Sequence, residues 1–211
     1  MSSAPHPLLA SYLQQLAAHP LRTKSLTVGS LCLIQEILGS NLAGLPPPKR
    51  PANAPFLFHL LSRAHVDQRA VKMFCYGACI SAPLSHYLVG ALQRAFAGKT
   101  SARAKVGQIV ANNVLVAPVQ TVAFLASMAI ISGAKSVDEI VKTVKAGFLS
   151  VIRIQWVTSP VALFVAQKFV PVELWVPFFN GLSFLLGTYF NYRVKSLRLA
   201  AAKKEREEKK D

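Results

Sequence analysis

Charged and apolar positions fall in long blocks along this chain rather than alternating residue by residue. Between Lys105 and Lys135 no position is charged, and VGQIVANNVLVAPVQTVAFLASMAIIS fills most of the interval. A helix needs roughly 20 mostly apolar residues to cross the ~30 Å hydrocarbon core of a bilayer, and this run is longer. Met73–Gln93 and Leu174–Tyr192 are charge-free as well. The runs are continuous, without the period-two alternation of a barrel strand, so they predict helices. The expected fold is an all-α, polytopic membrane helical bundle of about four transmembrane helices plus amphipathic surface helices.

Within residues 7–19, Leu9, Tyr12, Leu13 and Leu16 share one helical face, which predicts a short amphipathic helix on the membrane surface. Span one is expected over about Ser25–Ala43. The stretch LPPPKRPANAP, Leu45–Pro55, cannot be regular helix and reads as a stiff loop. FLFHLLSRAH then adds a second amphipathic piece before span two, about Ala70–Leu92. A basic loop leads to span three, about Val106–Ser132, which Pro118 should kink. Ser136 reads as an N-cap with Asp138 and Glu139 in the first turn, opening an interfacial helix that ends near Lys145. Phe148–Phe169 is apolar but holds Arg153, Gln155, Pro160, Gln167 and Lys168. It reads as a helix packed on the bundle or dipping partly into the bilayer, with a full fifth span as the alternative. The last span is expected over Val172–Tyr192, followed by a charged helical tail. Three regions result: an N-terminal amphipathic segment (1–24), a transmembrane bundle (25–192) and the tail (193–211).

Composition sharpens this picture. The 211 residues are 52% hydrophobic and 16% charged, which suits one helical membrane unit and leaves no room for a second folded domain. The net charge of +15 could suggest nucleic acid, but the cations stand at the ends of apolar runs, where they set orientation. No nucleic-acid partner is expected; the partners are the lipid bilayer and small solutes, with a homo-oligomer left open. Under four spans, the N-terminal segment, the loop after span two and the tail hold 14 Lys and Arg against 10 on the other side. Both termini should therefore face the cytosol. Cys32, Cys75 and Cys79 lie inside apolar runs, and their odd number argues against a disulfide framework. Cys75 and Cys79 are one turn apart, but no His or acid set completes a metal site, so they read as small packing residues. No metal or other cofactor is expected. The first 23 residues lack the compact apolar core of a cleavable signal, and the C-terminus is not an SKL-type address.

Polar groups inside the runs are the candidate site. A charge at bilayer depth costs ~2.5–3.5 kcal/mol on insertion scales, so each should meet a partner or water. Span one puts Gly29, Cys32, Glu36 and Ser40 on one stripe, and Glu36 is the acid placed well inside a span. Two readings stand for it: an ion pair with Arg153 or Lys72 or a hydrogen bond to a neighbouring helix, or a pore-lining group that favours cations or tunes selectivity. His86 shares a face with Cys75, Cys79, Ala82 and Gly90, beside a helix break at Pro83. It is either an interhelical donor or a pore-lining, pH-sensing group. Gln108, Asn112, Asn113 and Gln120 load span three, and Asn180, Ser183, Gly187 and Asn191 repeat the pattern in the last span. These faces could line one shared hydrated interior or act as interhelical glue. No HExxH, GxSxG, P-loop or paired acids within a span point to an enzyme.

Several ordered strings carry a resemblance. They are Tyr12-Leu13, His19-Pro20, Thr23-Lys24 and Gly29; then Asp67-x-Arg69, Tyr76-Gly77, Ala82-Pro83 and His86-Tyr87; then Asn112-Asn113 with Pro118, Trp156 with Pro160, and Val170-Pro171. Together they resemble the family of the 22-kDa peroxisomal membrane protein and its Mpv-type relatives. The chain departs from that pattern at Gln35-Glu36, Ser159, Leu163 and Trp175. The resemblance implies a four-span helical protein, not an enzyme, that forms or contributes to a weakly selective channel for passive passage of small solutes. A non-conducting scaffold that binds partner proteins is the alternative. The resemblance allows the peroxisomal membrane or the mitochondrial inner membrane. The lack of a convincing presequence, together with the basic clusters that flank span one and follow span four, favours the peroxisome.

Overall fold

The computed structural model describes residues 7–46, 66–98, 101–171 and 174–208, and every element among them is helical. Helix α1 (Pro7–Ala18) keeps Leu9, Tyr12, Leu13 and Leu16 half-buried on one side, as their spacing predicts. At His19 the chain passes into α2 (Pro20–Leu42), whose first residue is a proline with no N–H to leave unpaired. The Thr23 hydroxyl donates to the Gln15 carbonyl at 2.9 Å and ties the two helices together. Helix α2 ends on Gly44 at φ 65°, with Gly44 N–H on the Asn41 carbonyl and Leu45 N–H on the Ser40 carbonyl. That pairing closes the last orphan carbonyls through a left-handed glycine. Of the Pro-rich loop only Leu45 and Pro46 fall among the described residues; the amphipathic piece over residues 56–65 lies outside them.

The expected second span is α3 (Gln68–Cys75), a π turn (Tyr76–Ser81) and α4 (Ala82–Ala95), running without interruption. Asp67 caps its start, accepting Ala70 N–H at 2.8 Å. The third is α5 (Ala102–Ala111), a π turn (Asn112–Val116) and α6 (Ala117–Ile131). Both π turns have one cause. A proline clashes with the carbonyl four residues back, and for Pro83 and Pro118 those carbonyls belong to Cys79 and Val114, inside the widened turns. The helix rewinds instead of breaking, which corrects the expected break at Pro83.

Past Gly133, at φ 101°, Ser136 caps α7 (Val137–Phe169) by accepting Glu139 N–H at 3.3 Å, while the Glu139 carboxylate takes Lys135 N–H at 2.8 Å. The expected separate segments, an interfacial helix to Lys145 and another over 148–169, are therefore one 33-residue helix that contains Pro160. Helix α8 (Trp175–Glu208) likewise joins the last apolar run to the charged tail.

Two helical stretches among the described residues are long and apolar enough to cross a bilayer by themselves: Gly107–Ile131 and Val137–Phe169. The second covers the segment that its polar residues make ambiguous in sequence, and the four-span count omits it. Helix α2 is shorter of apolar residues because Gln35, Glu36 and Asn41 interrupt its second half. Most of α7 is bare: Val157 is 69% and Phe164 62% exposed, a surface that suits lipid rather than water. Cys75 and Cys79 are exposed too, so they are not the packing residues their apolar setting suggested. The chain divides into two compact units: Met1–Ser30 with Cys75–Val161, and Leu31–Phe74 with Ala162–Asp211.

Candidate functional site

Within the second unit, α2 buries Glu36 to 1% exposure, and two cations converge on one of its carboxylate oxygens. Lys195 Nζ, from α8, stands 2.7 Å from Glu36 Oε1, and Arg69 Nε, from the first turn of α3, stands 2.8 Å from it. The Lys195 ammonium also donates to the Glu36 carbonyl at 3.0 Å and to Ser40 Oγ at 2.6 Å, which uses its three donors. Ser40 in turn donates to the Glu36 carbonyl at 3.0 Å. An acid and a lysine at this depth are tolerable only because each neutralises the other and the ammonium's donors are met. Glu36 Oε2 is buried with no hydrogen-bond partner among the described residues.

Small residues let α2 and α8 approach closely enough for this cluster to form. A Cβ on Gly39 would meet Asn191 Cβ at 2.7 Å, and one on Gly187 would meet the Gln35 amide at 2.6 Å. Gln35 Nε2 donates to the Ser183 and Phe184 carbonyls at 3.1 and 3.3 Å. Ser183, Gly187, Asn191 and Lys195 recur every four residues, so one stripe of α8 carries the whole seam.

In the first unit, the polar residues gather around a half-open cleft of about 240 Å³ next to the first π turn. Gln120 and Thr121 reach it from α6, Gln155 from α7, and Ser81 and Ser85 from the π turn and α4. Buried Thr121 donates to Gln155 Oε1 at 3.1 Å, and Tyr76 and Phe124 place their ring centroids 6.0 Å apart on the apolar wall. Elsewhere in this unit, Trp156 Nε1 donates to the Asn113 carbonyl at 2.9 Å, engaging backbone at the second π turn. Lys24 Nζ lies 3.5 Å from His86 Nδ1.

The expected site residues take different partners within their units. Glu36 pairs with Arg69 and Lys195; Arg153 and Lys72, the partners expected from sequence, are both exposed. His86 meets Lys24. Asn112 opens the second π turn, and its carbonyl accepts Ala117 N–H. Asn113 bonds back to the Ile109 carbonyl at 2.9 Å, and its side-chain oxygen is buried without a partner among the described residues. Gln120 lines the cleft, and Asn180 is half-buried on α8 outside both groups. Glu36 and Gln120 fall in different units. Sequence reasoning missed Lys195, which it counted as a tail cation. The missed signal was the four-residue spacing from Ser183 to Lys195.

Residues 129–191 match the signature of the Mpv17 / PMP22 family. Over 197 residues the chain is 47% identical to the Woronin body membrane protein wscA of Aspergillus fumigatus, covering 93% of this chain and 80% of that one. The chain belongs to the Mpv17 / PMP22 family. It is a membrane protein of that family, and its relatives include peroxisomal ones. The Woronin sorting complex protein of Neurospora crassa is 44% identical over the same share of this chain, which spans only 60% of that relative's length. The peroxisomal membrane protein PMP22 of Arabidopsis thaliana is 22% identical, with 92% of this chain and 94% of that one covered. No solved structure matches the chain. Some residues of the strings that carry the family resemblance make contacts within each unit. Lys24 touches His86, Trp156 holds Asn113, and Arg69 of the Asp67-x-Arg69 string reaches Glu36.

Proposed function

We propose that this chain is a non-conducting organiser of an organelle membrane of the Woronin-body and peroxisomal kind. The observation that carries this reading is the state of Glu36. Its carboxylate is held by Arg69 and Lys195 and buried against Ser40, so the polar stripe of α2 serves helix-to-helix adhesion rather than a wetted passage. The names of the two relatives that are 47% and 44% identical support the same direction, one a Woronin body membrane protein and the other a sorting-complex protein. The chain carries no catalysis in this reading. Its partners are the bilayer and other proteins of that membrane.

Two measurements test it. Purified full-length protein in planar bilayers should give conductance equal to that of the empty membrane. The untagged chain produced in Aspergillus fumigatus should co-migrate with Woronin bodies rather than with mitochondrial inner membrane. A reproducible conductance would return the weakly selective channel to first place, and co-migration with inner membrane would end the organiser reading. The channel stays as a second reading because of one feature, the polar cleft around Gln120.

A further inference from the structure

We propose that the cleft of the first unit is a binding site for a small neutral polyhydroxylated molecule, of the size of a hexose or a cyclic hexitol. Charge narrows the ligand first. None of the nine residues that line the cleft is ionisable near neutral pH, so a carboxylate or phosphate ligand would leave water without a counter-charge. What the cleft offers instead is hydroxyls and carboxamides, groups that donate and accept hydrogen bonds alike, as a polyol's own hydroxyls do.

These groups are also unspent. Thr121 and Gln155 bond each other through one contact, which leaves the Gln155 amide protons over. Ser81, Ser85 and Gln120 have no hydrogen-bond partner among the described residues, though all three are half-buried. Half-buried in a half-open cleft, these side chains keep a hydrogen-bonding capacity that water meets when the cleft is empty and that a polyol's hydroxyls can take over.

Size follows from the volume. An apolar cavity of about 150 Å³ holds benzene, so a cleft of about 240 Å³ takes a molecule of roughly ten heavy atoms. Tyr76 and Phe124, inclined at 57°, give the C–H face of a ring polyol an apolar surface to lie on. The π turn from Tyr76 to Ser81 shapes the wall that carries Tyr76 and Ser81, a place where helices often keep functional sites. Binding in the cleft needs no passage across the membrane, so conductance does not report on it.

The test titrates the full chain in lipid nanodiscs with myo-inositol, calorimetrically, with gluconate and sucrose as probes of charge and size. Myo-inositol should bind saturably in the millimolar range, with gluconate and sucrose at least about tenfold weaker. Gln120→Leu should weaken inositol binding about tenfold while leaving the melting temperature in place. If that variant does not fold, Ser85→Ala, which removes a single hydroxyl, carries the comparison with a smaller loss. The proposal is overturned if the folded wild-type chain shows no saturable inositol binding or binds gluconate equally well. It is also overturned if every folded variant binds inositol as the wild type does.

Discussion

Taking the carboxylate away from Glu36 leaves Arg69 and Lys195 with no anion between them. Breaking a buried pair by removing one member costs ~3–5 kcal/mol, because the remaining charge stays buried and uncompensated. Arg69 keeps 27% of its side chain exposed and can turn toward solvent, so Glu36→Gln should cost about 3 kcal/mol, the low end of that range. Unfolding of the purified variant in detergent reads this directly, and a melting temperature equal to wild type would leave the cluster with no stabilising role. Lys195→Met should cost less, since Arg69 still neutralises Glu36, and combining it with Glu36→Gln should recover part of the loss. That Glu36 needs a partner is legible in the sequence; which partner is not. Helical periodicity places a residue on a face but does not say which helix that face meets. Lys195, 159 positions away, looks like one more cation of the tail.

At the scale of elements, the glycines divide by what surrounds them. Gly39→Ala would push a methyl to 2.7 Å from Asn191 Cβ and 3.3 Å from the Tyr192 backbone nitrogen, so α2 and α8 must separate. The expected loss is ~1–3 kcal/mol, as for other overpacked contacts. Gly90, inside α4, has open space where a methyl group would stand, with nothing within 4 Å, and Gly90→Ala should gain ~0.5–1 kcal/mol from helix propensity. Paired thermal melts check both signs, and a stabilised Gly39→Ala would contradict the close seam. The helix start at Ser136 is readable because its capping residue is followed by acids in the first turn, whereas the cap at Asp67 escapes the apolar pattern, which puts that start near Ala70. The π turns are not readable either, because Pro83 and Pro118 announce a disturbance without saying whether the helix bends, breaks or widens. The length of α7 was hidden for a related reason. The change from an amphipathic stretch ending at Lys145 to an apolar one from Phe148 resembles a boundary, yet the helix runs straight through it.

For the whole molecule, block patterning of charge was enough to read the helical class, since a bilayer filters sequences by hydropathy before any packing is considered. The number of crossings was harder. Burial of polar groups in a seam lowers the hydropathy of α2, and the length of α7 raises the count. Single cysteines at Ser2 and Ala202, in a background without Cys32, Cys75 and Cys79, settle the parity. Labelling by an impermeant reagent should reach both from the cytosolic side, as an even number of spans and the cation balance require. Labels on opposite faces would mean an odd count, with α7 as the added crossing.

The Glu36 cluster also has a temporal side. Its lysine is made 159 residues after its glutamate, an interval of roughly 8–30 s at ribosomal speeds of ~5–20 residues per second. Until Arg69 emerges the acid of α2 has neither cation, and from then until Lys195 is made it has Arg69 without the lysine. Nascent chains halted before Lys195 should therefore be the ones that chaperones and quality-control proteases recognise. The last helix would then act as the latch of biogenesis, so that an incomplete chain marks itself as unfinished by an acid it cannot yet hide.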